Sequence, residues 1–273
     1  MKFVLDDEEL SKLMERTAGK GGDFFDAEMA IAIFETDQKT IERIVPEPLT
    51  PSAIPFATVF IAKYPKTSFG SVYNEAALSI GVEYEEEAGS YCLTMPVTED
   101  MACILGREIF GFPKKIADEI SMITTEKGVK GSYIRKNVEL MNLSMSFDRE
   151  VEIDEFSEIM SLLTSQKLED KEWEVVSYNF KFFLNPELTG FDYKPRLVKQ
   201  VTTFRPTSKI KLSSNFDLRL ESSDCDHLAD VTVKKPIIGF YGIFNNTMHP
   251  GEVVAEVEDL EFMRYAFSKI DYL

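Results

Sequence analysis

Residues 106–117, GREIFGFPKKIA, place two adjacent lysines, Lys114 and Lys115, among Phe110, Phe112, Pro113 and Ile116. An amine held away from water is a nucleophile toward a ketone carbonyl. A free lysine has a pKa near 10.4, so only about one in 10³ is neutral at pH 7. Bringing it to neutrality costs about 5.5 kcal/mol of differential solvation, within reach of an apolar site or a neighbouring ammonium. Tandem lysines alone mean little, because Lys234-Lys235 is a second such pair, and the apolar flanks are what set this one apart. In an extended chain, successive side chains point to opposite faces. Lys115 then lies across the strand from the Lys114 amine, and desolvation outweighs the neighbour's charge. The residues alone leave open a loop with two solvent-facing lysines.

Rival chemistries are poorly supplied. His227 and His249 are the only histidines, so a zinc site would need scattered parts, and no G-x-S-x-G is present to anchor a serine nucleophile. Cys92, Cys103 and Cys225 are odd in number and form no CxxC, which points to a reduced, cytoplasmic setting rather than a disulfide framework. With 47 acidic against 30 basic residues, the net charge of -17 repels nucleic acid and anionic membranes. The start is acidic rather than apolar, and no apolar run approaches the roughly 18 residues of a membrane span, so neither a signal peptide nor a span is expected.

The elements that must position the lysines read as short strands with few helices. A first helix begins at Asp6 or Asp7, turns Leu10, Leu13 and Met14 to one side, and ends at Gly19, Gly21 and Gly22. A strand at 27–34 leads to a helix capped by Thr36 or Asp37 and stopped by Pro46 and Pro48. Strands follow at 57–64, 73–84 and 90–97, with the acids Glu83, Glu85, Glu86 and Glu87 at a solvated hairpin end. A helix covers 99–108, strands cover 131–135 and 138–147, and a helix with Phe156, Ile159, Met160 and Leu163 on one side runs from Asp154 to Ser165. Strands at 175–184, 195–203, 208–212 and 228–234 precede a final helix at 260–267. With 44% hydrophobic residues and no linker or repeat, residues 1–273 read as one mainly β domain, an antiparallel barrel or sandwich with flanking helices.

Gly106-Arg107-Glu108 followed by Pro113-Lys114-Lys115 resembles the active-site signature of the acetoacetate decarboxylase family. Four further segments agree in order: residues 45–49 (VPEPL), Tyr73-Asn74-Glu75, Asp230-Val231-Thr232-Val233 and the closing Asp271-Tyr272-Leu273. The resemblance implies an antiparallel, conical β-barrel with flanking helices, assembly as a homo-oligomer, and chemistry that needs neither metal nor organic cofactor. It implies that Lys114 forms the Schiff base, the role for which a lysine activated by its surroundings is best known in acetoacetate decarboxylase itself. It also makes Glu75 an active-site acid. Tyr73, Glu75 and the apolar Ala77 share one face by alternation, which favours an inward glutamate over a surface one. Lys115 lies in or beside the site. Arg107 and Glu108 read as a structural ion pair or turn anchors. Phe112, two residues from the nucleophile, leads the candidate pocket wall, with Phe25, Phe60, Met95 and Phe110 behind it.

The match also departs from the family. Characterised decarboxylases carry an arginine and a second glutamate where simple spacing places Ala27 and Phe60. The reading that follows is a Schiff-base lyase acting on a small keto acid, with decarboxylation of a β-keto acid such as acetoacetate in the lead. One alternative keeps the imine but performs aldol addition and dehydration on pyruvate or another α-keto acid. A second alternative is a carbonyl-ligand-binding protein without turnover.

Overall fold

The runs between Pro55 and Val97 are joined by connections too short for a crossover, so they pair antiparallel in sequence order. The computed structural model describes residues 3–164 and 172–271. In it, β1 (Gly22–Glu35), β2 (Phe56–Tyr64), β3 (Tyr73–Tyr84) and β4 (Glu87–Val97) form a continuous antiparallel run. The β3–β4 turn places Glu85 and Glu86 at φ 48° and 69°, the geometry of a two-residue hairpin whose twist matches its strands. The short β5 (Lys114–Ile116) runs parallel beside the end of β4. Three strands, β6 (Glu119–Thr124), β7 (Gly128–Arg135) and β8 (Val138–Ser146), then build a second sheet.

Closure of the main sheet comes from the second half of the chain. β9 (Trp173–Lys181) lies parallel to β4 through Ser177↔Ser90 and Tyr178↔Tyr91, and pairs antiparallel with β10 (Arg196–Pro206). After β11 (Phe216–Leu220), which joins the second sheet, β12 (Lys235–Met248) pairs with both β10 and β1. The ring β12-β1-β2-β3-β4-β9-β10 is therefore a closed seven-stranded barrel. Its two parallel contacts, to β5 and β9, are exceptions to the antiparallel expectation. The chain between β4 and β9 is long enough to cross over.

Most predicted helices form with shifted ends. α1 (Asp7–Thr17) is capped by Asp6 in a reciprocal pair with Glu9, and α2 (Gln38–Ile44) is capped by Asp37. The predicted helix at 99–108 is α3 (Asp100–Leu105) continued by a wider π turn over Gly106–Phe110. α4 (Ile153–Thr164) packs Phe156 on Trp173 and Phe240. Ser165, the Leu163 side chain, Tyr272 and Leu273 lie outside what is described. The final helix is α5 (Asp259–Phe262), tightening to a 3-10 turn over Met263–Lys269. Among the described residues, no helix is long and apolar enough to cross a membrane.

One strand assignment needs correction. Residues 228–234 do not form a strand: Leu228–Asp230 is a 3-10 turn, and Val231 N–H donates to the Leu228 carbonyl. The alternation of DVTV mimics a strand, but the buried side chains Leu228 and Val231 are three apart, as a turn requires. The true strand, β12, starts at Lys235 and carries Pro236, Gly239 and Gly242, residues that weaken a strand pattern. Gly242 is there because a Cβ at that point would stand 2.3 Å from Ile210 Cδ1.

Candidate active site

The site begins with the pairing of β4 and β5. Met95 is opposite Lys114 and Pro96 is opposite Lys115, and paired residues share a face. Across the barrel wall, Glu75 is paired with Val97 on one side and Ala62 on the other. Met248, from β12, packs on the same cluster as Ala77, Cys92, Met95 and Phe112. Strands β12 and β4 are not neighbours in the ring, so that contact crosses the interior and marks this face as inward.

Lys114 Nζ donates to Glu75 Oε2, and the two side chains are only 7% and 6% exposed. The Tyr73 ring centroid lies 5.6 Å from the same ammonium, and Tyr73 packs on Tyr64 at 5.0 Å between ring centroids. Burial, and then the Glu75 charge, hold both phenols well above their ordinary range, so they stay protonated beside the pair. The Lys114 stem crosses Gly106, where a Cβ would stand 2.4 Å from Lys114 Cε. The Arg107 guanidinium donates to the Lys114 carbonyl at 3.1 Å and so anchors the turn. The π turn thus both clears space for the lysine and fixes its backbone.

Gly106→Ala is expected to leave stability nearly unchanged, because a flexible lysine stem can yield. The amine would be displaced, and turnover would fall by roughly 10–100-fold. Activity assays beside thermal melts check this. An active Gly106→Ala protein would mean that the Lys114 stem position is not critical.

Of the predicted wall, Phe112 and Met95 are buried together, and Phe60 and Phe110 pack against them half-exposed. Phe25 is elsewhere, half-buried with Lys66 Nζ 5.1 Å from its ring centroid. It precedes a register shift in β1 that separates Phe24 from Ala27. Ala27, fully buried opposite Phe244, and Phe60, opposite Ala77, both belong to the inward face. Neither brings a charge to it.

Lys115 points the other way, as alternation requires. Its ammonium donates to Asp226 Oδ1 at 2.9 Å and to the Cys225 carbonyl at 3.0 Å, with Asp271 Oδ1 3.4 Å away. Arg135 joins the same two acids, at 2.6 Å to Asp226 and 2.5 Å to Asp271. The Arg135 guanidinium holds the Asp271 carboxyl far below the usual carboxylate range. A depressed carboxyl stabilises the fold above its unfolded value of about 4, and that contribution is lost progressively in stronger acid. Asp226→Ala leaves the buried Lys115 and Arg135 to share Asp271 alone and is expected to cost about 3 kcal/mol, read from denaturant midpoints. A loss under about 1 kcal/mol would show that the cluster is dispensable.

Sequence reasoning did not find Asp226, Arg135, Tyr64 or the role of Gly106. Only Asp271 carried a signal, through the closing segment. Among the described residues, no group of three or more His, Cys, Asp or Glu is arranged to hold a metal ion.

Residues 13–257 match the model of the acetoacetate decarboxylase family. An acetoacetate decarboxylase of Burkholderia cenocepacia is 34% identical over 133 residues, 48% of this chain and 53% of that enzyme. The chain therefore spans about half the length of that relative. A CLA biosynthesis isomerase of Lactiplantibacillus plantarum is 26% identical over 75% of this chain and 72% of its own. Among solved structures, the acetoacetate decarboxylase of Legionella pneumophila superposes with a TM-score of 0.73 at 20% identity, covering 86% of this chain and 88% of that one. The enduracididine biosynthesis enzyme MppR, complexed with pyruvate, superposes with a TM-score of 0.66 at 17% identity, covering 88% and 92%. At these identities the structures speak for the fold alone.

Proposed function

We propose, from the premise that this chain belongs to the acetoacetate decarboxylase family, that it is a Schiff-base enzyme acting on a small keto acid through Lys114. The observation that carries the proposal is the buried Lys114–Glu75 pair on the inward face of the barrel, beside Met95 and Phe112. Attack on a ketone needs an amine without its third proton, and Glu75 is the group in contact to take it. The amine adds to the carbonyl carbon and water leaves, giving a protonated imine. For a β-keto acid, the bond to the carboxylate then breaks and its electrons pass into the imine to form an enamine. The enamine carbon takes a proton from water, relayed by Glu75, and a second water releases the ketone and restores Lys114. Burial strengthens each of these charge movements by lowering the local dielectric.

A second reading keeps the imine but makes carbon–carbon bonds. Ala27 and Phe60 favour it, because they leave the inward face without the arginine and second glutamate that the family's decarboxylases carry at the matching positions. The pyruvate complex of MppR is consistent with such an outcome on this fold. The enamine of pyruvate would add to an aldehyde and lose water.

Borohydride reduction in the presence of acetoacetate or pyruvate, followed by peptide mapping, tests the shared step. A mass increase on Lys114 is expected, and unmodified Lys114 with both acids would sink the proposal. Carbon dioxide release from acetoacetate, set against new conjugated absorbance from pyruvate plus an aldehyde, separates the two outcomes. Trapping with neither product points to a carbonyl-binding protein.

A further inference from the structure

Glu75 is a buried carboxylate with two oxygens, and the Lys114 ammonium accounts for one of them. A buried charge is held in place only when its remaining lone pairs also find donors. The register of the sheet limits where a second donor can come from. Across the strands Glu75 is flanked by Ala62 and Val97, and along its own strand by Tyr73 and Ala77 on the same face. Of these four neighbours, Tyr73 alone carries a side-chain donor. Asn74 lies on the other face and gives its amide to the Ile120 carbonyl at 2.8 Å. The Cys92 thiol feels the Glu75 charge but donates to the Thr94 carbonyl at 3.4 Å. Ala27 and Phe60, also inward, have no donor to offer.

Tyr73 is 5% exposed, and its ring is held between the Lys114 ammonium and Tyr64. Tyr64 in turn packs on Phe24 with 4.8 Å between ring centroids, so the phenol has little freedom to turn. Burial comes first among the causes that keep the Tyr73 phenol protonated, followed by the Glu75 charge, Tyr64 and a hydrogen bond to Glu75. Tyr64, diagonal to Glu75 in the sheet, responds to burial and to the charge alone. A phenol that stays protonated donates to a carboxylate without competing for the protons it carries.

We propose that Tyr73 is a positioning residue, its phenol donating to Glu75 and aiming the carboxylate at both Lys114 and the substrate carbon. The inference rests on the imine reading of Lys114 and adds the residue that orients its acid. Once Lys114 has become an imine it keeps at most one N–H, and Glu75 must turn from it to serve carbon. The Tyr73 contact is the one that lasts through that movement.

Exchange of acetone protons in deuterium oxide isolates the relay whichever reaction the enzyme performs. Acetone adds to Lys114 and loses water to form the imine. Glu75 takes a proton from the methyl carbon to leave the enamine, exchanges it with solvent and returns a deuteron. Water then releases labelled acetone, read by NMR. Tyr73→Phe keeps the ring and removes the donor. Exchange should fall about 10–100-fold in kcat with little change in KM, because a hydrogen bond to a charged, positioned group is lost. Borohydride should still trap acetone on Lys114, and the thermal melt should stay close to that of the unaltered protein. In a Glu75→Gln background the same substitution should cost under about 2-fold, since the residue it acts through is gone. A merely structural role would give equal losses in both backgrounds. Full exchange in Tyr73→Phe, equal losses in the two backgrounds, or lost trapping would overturn the proposal. Unaltered protein that neither traps nor exchanges acetone would overturn the imine reading and this inference with it. Exchange that survives Tyr73→Phe overturns this inference alone.

Discussion

Lys114→Ala is expected to lose turnover by at least about 10⁴-fold, with no adduct left to trap, because among the described residues no other lysine joins Glu75 on this face. Lys115 cannot substitute, since its ammonium is held on the opposite face by Asp226 and the Cys225 carbonyl. Lys269, also buried, donates instead to the Phe180 carbonyl. The variant also leaves Glu75 buried without its cation, at a cost of about 3–5 kcal/mol if the carboxylate stays charged. A thermal melt must therefore accompany the assay. A folded Lys114→Ala protein that still turns over a keto acid would remove Lys114 from the mechanism.

Glu75→Gln separates binding from proton transfer. The amide fills the same space beside Lys114 but cannot take or return a proton. Turnover should fall by about 10²–10⁴-fold, the usual range for loss of a positioned acid or base. Borohydride should still trap the keto acid on Lys114, more slowly if Glu75 also assists imine formation. Full activity in Glu75→Gln would leave the glutamate as a structural counter-charge. Lost trapping in a folded protein would mean instead that the imine itself needs the carboxylate.

Much of this site was legible because strand geometry is local. Alternation along 73–77 put Tyr73, Glu75 and Ala77 on one face, and they are on one face. The same rule separated Lys114 from Lys115, and their ammonium groups indeed go to different partners, Glu75 and Asp226. Where local pattern misled, packing was the cause. Phe25 resembled other aromatic wall candidates, but the register shift after Phe24 puts it under Lys66 instead. β12 carries glycines at close approaches to its neighbours, and no strand was expected there.

The sequence by itself determined the family, the run of strands, the nucleophile segment and the opposed directions of its two lysines. Each depends on residue order over a few positions, where side-chain period and backbone restriction act directly. The tertiary structure alone decided the pairings. Glu75 meets Lys114 across 39 positions, and Asp226 meets Lys115 across 111. Those meetings follow from closing seven strands into a ring, because closure chooses which face is inward and which distant residues must share it.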